Sequence, residues 1–209
     1  MTFYSQYKQD EYIYNNFFKN KTNGFFIDIG ASEPERQNNT LFFEKLGWDG
    51  ILVEPVKKQY DQLIEQRKSP CETVAIYKET GNFKFIACSG YIKGLSGILK
   101  EQKPQHLNRI FNELLQFGDS VEIINVNTIT FDDLIKKYNI NHAIDYLSID
   151  TEGAEYSILK TINFDKHFIK TISVENNYTE NNVHDLLIKN NFKRVASLGC
   201  DDIYVNVKI

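Results

Sequence analysis

Cysteine is scarce, with three in 209 residues. Cys71, Cys88 and Cys200 are odd in number and share neither metal-type nor redox-type spacing, which argues against a disulfide framework or a zinc knuckle. They are expected as buried apolar positions. No apolar run approaches the ~20 residues that cross a bilayer, so no membrane span is expected. The opening MTFYSQYKQDEYIY lacks the basic stretch and continuous apolar core of a secretion signal, and a cytoplasmic setting is the expectation. Positive charge is also in deficit: 24 Lys and Arg stand against 28 Asp and Glu, a formal charge of -4. That balance offers no general attraction for nucleic acid or an anionic membrane, and neither is an expected partner. Internal repeats and low-complexity segments are missing as well.

What is present is alternation. Short runs rich in Phe, Ile and Val recur between amphipathic stretches, the pattern of buried parallel strands covered by helices. Strands are predicted over 24–29, 50–54, 72–77, 82–88, 121–126, 146–150 and 170–175. Helices are predicted over 39–46, 57–67, 104–117, 131–138 and 183–190, and the segment TEGAEYSILKTI after Asp150 reads as helical too. Gly118 ends the third of these helices, and Thr130 caps the fourth. Residues 192–197 and 203–207 form a closing antiparallel pair around Leu198-Gly199. The class is α/β: one domain over 1–209 with a single doubly wound sheet, mostly parallel with an antiparallel closing strand. The glycine-rich stretch 89–97 is a loop, and 89–118 is expected to cover the acceptor side of the site.

In open α/β sheets, ligands bind beyond the carboxyl ends of the strands, so the residues following each apolar run are the informative ones. The first run ends in FFIDIGASEPE, where Asp28 and Gly30 close the strand and Ala31 and Ser32 begin the turn. A dinucleotide site would need G-x-G-x-x-G, and this chain has Gly30, Ser32 and Glu35 in that frame. Glu33 and Glu35 would oppose a pyrophosphate but suit the cationic sulfonium of S-adenosylmethionine. Glu54 ends the second strand at the spacing from Gly30 expected of a ribose ligand. A tight turn at Gly30 with a solvated Glu54 is the plain structural alternative.

These segments resemble the FkbM-type methyltransferases in order along most of the chain. Residues 5–10, SQYKQD, are similar to the family's opening segment, FFIDIGA to its first motif, and NNTLFFEKLGWDGILVEP to its SNT…FLE…GW-G…EP stretch. GLSG resembles a substrate-side loop, and DYLSIDTEGAEYSIL resembles the DLLKIDVEGAE…VL signature. The resemblance implies a Rossmann-type methyltransferase fold and methyl transfer to a hydroxyl, commonly on a sugar or a polyketide-like molecule. It also implies cofactor contacts from Asp28, Gly30, Ala31 and Glu54, with Gln6 and Asp10 in an N-terminal segment over the cofactor; Ser32 and Asn39 complete the expected set. Where the family has Asp-Gly, this chain has Glu33-Pro34, and Pro34 removes an amide donor at the methionine end.

Methyl transfer to an alcohol needs in-line placement and either a base or a metal-lowered pKa. Asp150 and Glu175-Asn176 would end adjacent parallel strands, where their oxygens can converge. Asp150, Glu175 and Asn176 therefore form a candidate Mg or Mn site, resembling catechol-type O-methyltransferases. Without a metal, Asp150 would be the base, with Glu152 or Glu175 orienting the acceptor. Glu152 could instead favour the following helix electrostatically, and Glu155 reads as a solvated charge. The four histidines read as structural, with His106 the one to choose if any acts. Tyr91, Lys93, Ser96 and Arg109 are candidate sugar contacts. The expected activity is O-methylation of a sugar or glycan, a deoxysugar such as rhamnose favoured. A non-sugar hydroxyl acceptor is the alternative within the class, and a catalytically inactive nucleoside-binding module is the alternative outside it. An NAD-dependent dehydrogenase or epimerase is the enzymatic rival: it would share the fold and the ribose acid but should show glycines that this chain lacks. The sequence allows a homodimer without demanding one.

Overall fold

The computed structural model describes residues 1–178 and 181–208. Its larger sheet has seven strands, built on β1 (Phe25–Ile29), β2 (Asp49–Val53), β3 (Cys71–Glu72), β8 (Ile144–Ile149) and β9 (Ile169–Glu175), all parallel. β10 (Phe192–Leu198) and β11 (Asp201–Asn206) close it antiparallel, in the order β10-β11-β9-β8-β1-β2-β3. Every residue of β8 is buried, as are four of the five in β1, which explains why both read as continuous apolar runs rather than alternating ones. The order reverses between β1 and β8, and a crevice opens there beyond the strand tips.

The expected single sheet is in fact two. β4 (Ala75–Ile76), β5 (Gly81–Cys88), β6 (Gly97–Ile98) and β7 (Val121–Ile129) form a separate four-stranded sheet in the order β4-β7-β5-β6. The predicted strand 72–77 is therefore split, with Cys71–Glu72 on the large sheet beside β2 and Ala75–Ile76 on the small one beside β7. Alternation of side chains is the same in either sheet; only the distant partner decides, and β5 finds its partner in β7 from Gly81↔Thr128 to Cys88↔Val121.

Helix α4 (Pro104–Phe117) lies against this second sheet. Pro104 opens the helix and Gly118, at φ 69, ends it in the left-handed conformation. Its Ile110 packs with Ile86, Cys88, Ile92 and Leu95 in a small core of its own. The stretch expected as a loop contains a 3₁₀ helix, Gly90–Leu95, which supplies two of those core residues. Thr130 caps α5 (Phe131–Lys137) through a reciprocal capping box with Asp133. The helix after Asp150 starts late: Glu155–Leu159 forms α6, and residues 150–154 stay irregular. No helix among the described residues is long and apolar enough to cross a membrane. Cys88 is buried as expected, whereas Cys71 and Cys200 are only partly so.

Candidate functional site

A cleft of about 290 Å³ sits at the crevice and is lined by the tips of β1, β2, β8 and β9, the 3₁₀ helix and α4. One wall starts at Gly30. Its φ is +88, and a Cβ there would stand 1.7 Å from the carbonyl oxygen of Asp150, so only glycine lets the two strand tips approach. Asp28, fully buried beneath, accepts from Thr40 Oγ1 at 2.7 Å. Burial raises its pKa, against which Thr40 and Arg67 work. Arg67 donates to Thr40 Oγ1 and Asn38 Oδ1, while Asn38 Nδ2 donates to the carbonyls of Ala31 and Glu33. Asn39 donates to Ser148 Oγ at 3.1 Å. The loop after β1 is thus fixed by buried side chains instead of the glycines of a dinucleotide motif.

Glu54, at the tip of β2, accepts the amide of Ser32 at 3.0 Å on one oxygen and that of Val56 at 2.8 Å on the other. Burial pushes its carboxyl up to about 7, with those two amides pulling the other way. It faces the cleft with lone pairs to spare.

Next to Gly30, the tips of β8 and β9 are acidic. Asp150, Glu152 and Glu175 each offer an oxygen, and these atoms all lie within 4.8 Å of one another. Glu152 reaches inward because its backbone adopts φ 53, followed by Gly153 at φ 123, an unusual turn of the kind found at working sites. Glu155, expected as a solvated charge, is buried and locks that turn by accepting the amides of Thr151 and Gly153 and the Thr151 hydroxyl. Asn177 Nδ2 donates to Glu175 at 2.6 Å and to Glu152 at 3.1 Å. His106 is buried, with Nε2 3.0 Å from the Leu95 carbonyl and Nδ1 3.4 Å from Glu152. Desolvation raises both Asp150 and Glu175 well above the carboxylate range, aided at Asp150 by repulsion from Glu152 and at Glu175 by repulsion from Asp150 and Glu152. Burial lifts Glu152 to about 8, with Arg109 opposing. Such acid packing suits proton transfer or a cation.

Gln6, Ala31, Ser32 and Asn39 line the cleft together with Asp28, Gly30 and Glu54, so the structure gathers these expected cofactor residues in one place. Tyr91, Lys93, Ser96 and Arg109 stand on the same surface. Two expected residues fall outside it. Asp10 is fully buried and turns its carboxylate onto Ser5 and the amides of Tyr4 and Glu11, tying down the N-terminal segment. Asn176 hydrogen-bonds Asp202, across the β11 side of the sheet, and Glu152 takes its place beside Asp150 and Glu175. The sequence foresaw Glu152 as a residue that orients the acceptor but not as the third acid of the metal set, where it stands in place of Asn176. Gln59, Arg36 and Asn177 also line the cleft, and nothing in the sequence singled them out. The only hint for Gln59 was its place five residues beyond Glu54.

A model of the methyltransferase FkbM domain matches residues 28–195. Among curated proteins, none matches the chain.

Proposed function

Because the chain belongs to the FkbM methyltransferase family, we propose that it is an S-adenosylmethionine-dependent O-methyltransferase acting on a hydroxyl of a sugar or glycan, with a deoxysugar such as rhamnose as the favoured acceptor. The observation that carries this reading is one cleft lined by Gly30 and Glu54 together with three convergent acids. The large sheet, with its order reversing between β1 and β8, suits a Rossmann-type arrangement.

S-adenosylmethionine supplies a methyl group on a cationic sulfonium. Glu54 accepts hydrogen bonds from the ribose hydroxyls, and Gly30 leaves room for the nucleoside against the strand tip. The positive charge would favour the ionised form of the acids at the tips of β8 and β9. Asp150 takes the proton of the attacking hydroxyl, while Glu152 and Glu175, held by Asn177, orient the acceptor. Lys93 and Arg109 offer hydrogen bonds to further hydroxyls of a sugar.

The three acids also fit a divalent ion, since their oxygens are hard donors and converge while Arg109 is the cation acting on Glu152. A bound Mg²⁺ or Mn²⁺ would lower the pKa of the acceptor hydroxyl and hold it. Asp150, Glu152 and Glu175 would be the ligands.

The test begins with calorimetric titration of S-adenosylmethionine and of NAD. Heat and thermal stabilisation with the first alone are expected; the reverse would hand the site to a dehydrogenase. The protein is then incubated with labelled cofactor and a panel of rhamnosides and fucosides, and the methyl is located by mass spectrometry. Binding without turnover of any acceptor would make the chain a nucleoside-binding module.

A further inference from the structure

Gln59 stands in the first turn of α3 (Lys57–Gln66), just past the end of β2. It is 5% exposed, lines the cleft, and its Oε1 is buried with no hydrogen-bond partner. Among the described residues four buried side-chain atoms lack partners, those of Gln59, Gln102, His106 and Thr171, and only Gln59 belongs to the cleft. The others have local settings: Gln102 donates to the Glu152 carbonyl, His106 faces Glu152, and Thr171 lies within β9. An amide removed from water without a partner is costly, so its retention at the cleft wall needs a group to meet it there.

The neighbouring wall narrows which group that is. Val53, Ala75, Ile76 and Phe85 line the same cleft and are all buried, an apolar surface suited to the faces of a heterocycle. Adenine has such faces, and along one edge it sets an amino donor beside a ring-nitrogen acceptor. A carboxamide presents the complementary acceptor and donor side by side. A half-turn of the terminal amide exchanges its oxygen and nitrogen, so either polar end can meet the ligand.

The geometry points to Gln59 as the residue that reads the adenine edge of the nucleoside, an assignment resting on the cofactor reading given above. Glu54 and Gln59 then divide the nucleoside between them, the acid at the ribose and the amide at the base. The apolar wall holds the ring without choosing among purines, and the choice comes from the amide.

The test measures binding of S-adenosylhomocysteine and of its purine-riboside analogue, which lacks the 6-amino group, to the wild type and to Gln59→Leu. The wild type is expected to prefer the adenine compound by about tenfold. Gln59→Leu should bind S-adenosylhomocysteine about tenfold more weakly and treat the two ligands alike. Its melting temperature without ligand should equal or exceed that of the wild type, because the substitution removes an unmatched polar group. Retained preference in the variant, or a variant less stable without ligand, would overturn the assignment. If neither compound binds the wild type, the cofactor reading itself falls; binding without base preference removes Gln59 alone.

Discussion

Strand β8 carries an aspartate near each end, and the molecule treats the two in opposite ways. Asp145, at the amino end, is buried but accepts from Lys21 at 2.6 Å, from Lys170 at 2.8 Å and from the Phe25 amide at 3.1 Å. Those partners outweigh burial and hold its carboxyl below the ordinary range. Asp150, just past the carboxyl end, is half-buried beside Glu152 and Glu175 and raised well above that range, first by desolvation and then by repulsion from Glu152. The same residue type is paired with cations at one end of the strand and set among other acids just past the other. Carboxyls crowded together at a cleft are what a site keeps for its ligands, and here they coincide with the strand tips that bind ligands in open α/β sheets.

The sharpest way to break this contrast is to remove whatever neutralises the acids in the working protein. If a divalent ion does so, EDTA abolishes methyl transfer, and Mg²⁺ or Mn²⁺ restores it. The metal dependence should survive Asn176→Ala and be lost in Glu152→Gln. Full activity in EDTA would leave the three acids to act by proton transfer alone.

Asp150→Asn keeps the shape of the strand tip and removes its charge. Methyl transfer should fall about a thousandfold, within the range for loss of a general base, while S-adenosylhomocysteine binds as before. Because one of three repelling acids is gone, the variant should be no less stable than the wild type. Unchanged turnover would deprive Asp150 of its role.

Asp145→Asn should do the reverse. Breaking a buried, multiply bonded carboxylate that two partly exposed lysines share is expected to cost about 1–3 kcal/mol, with screening at the lysines keeping it below the fully buried case. Activity of the folded fraction should be unchanged. The sign with pH follows from a folded pKa below the unfolded value: the contribution is full above the ordinary aspartate range and disappears as pH falls through the folded pKa. Urea unfolding at neutral pH and at about pH 3, below the ordinary aspartate value, should show the difference between the proteins shrink in acid.

How far this contrast was legible in the sequence depends on the range of the interactions. Asp28, Gly30, Glu54 and Asp150 follow apolar runs directly, so counting along the chain places them at strand tips. Local rules also delivered the Thr130 cap, the Gly118 stop and the antiparallel close. Side-chain direction was beyond them. Asn176 and Glu175 are neighbours in sequence, yet strand pleating sends Glu175 to the cleft and lets Asn176 bond Asp202. Glu152 stands with Asp150 and Glu175, one of the parts expected of it, whereas Glu155, expected as a solvated charge, is buried and accepts the amides of the turn that a positive φ at Glu152 creates. The second sheet rests on β5 meeting β7 across α4, a pairing that periodicity in either strand leaves open.

Glu54 extends the contrast to the tip of β2, and it tests the cofactor reading through pH alone. Its carboxyl lies at about 7 because burial outweighs the amides of Ser32 and Val56. A folded pKa above the unfolded one means that the free protein loses stability as pH rises through 7, as this group ionises. Ribose hydroxyls donate to the ionised form, so ligand binding favours what the free protein disfavours. Affinity for S-adenosylhomocysteine should therefore be flat above pH 8 and weaken by up to about tenfold per unit below 7, as one proton must leave. Glu54→Gln cannot make that switch: it should bind more weakly at pH 8 and show little slope below it. Calorimetry between about pH 5.5 and 8.5, on either side of the carboxyl's value, measures both curves. A slope that persists in Glu54→Gln would move the titrating group to the acids at the tips of β8 and β9 and take the ribose from Glu54.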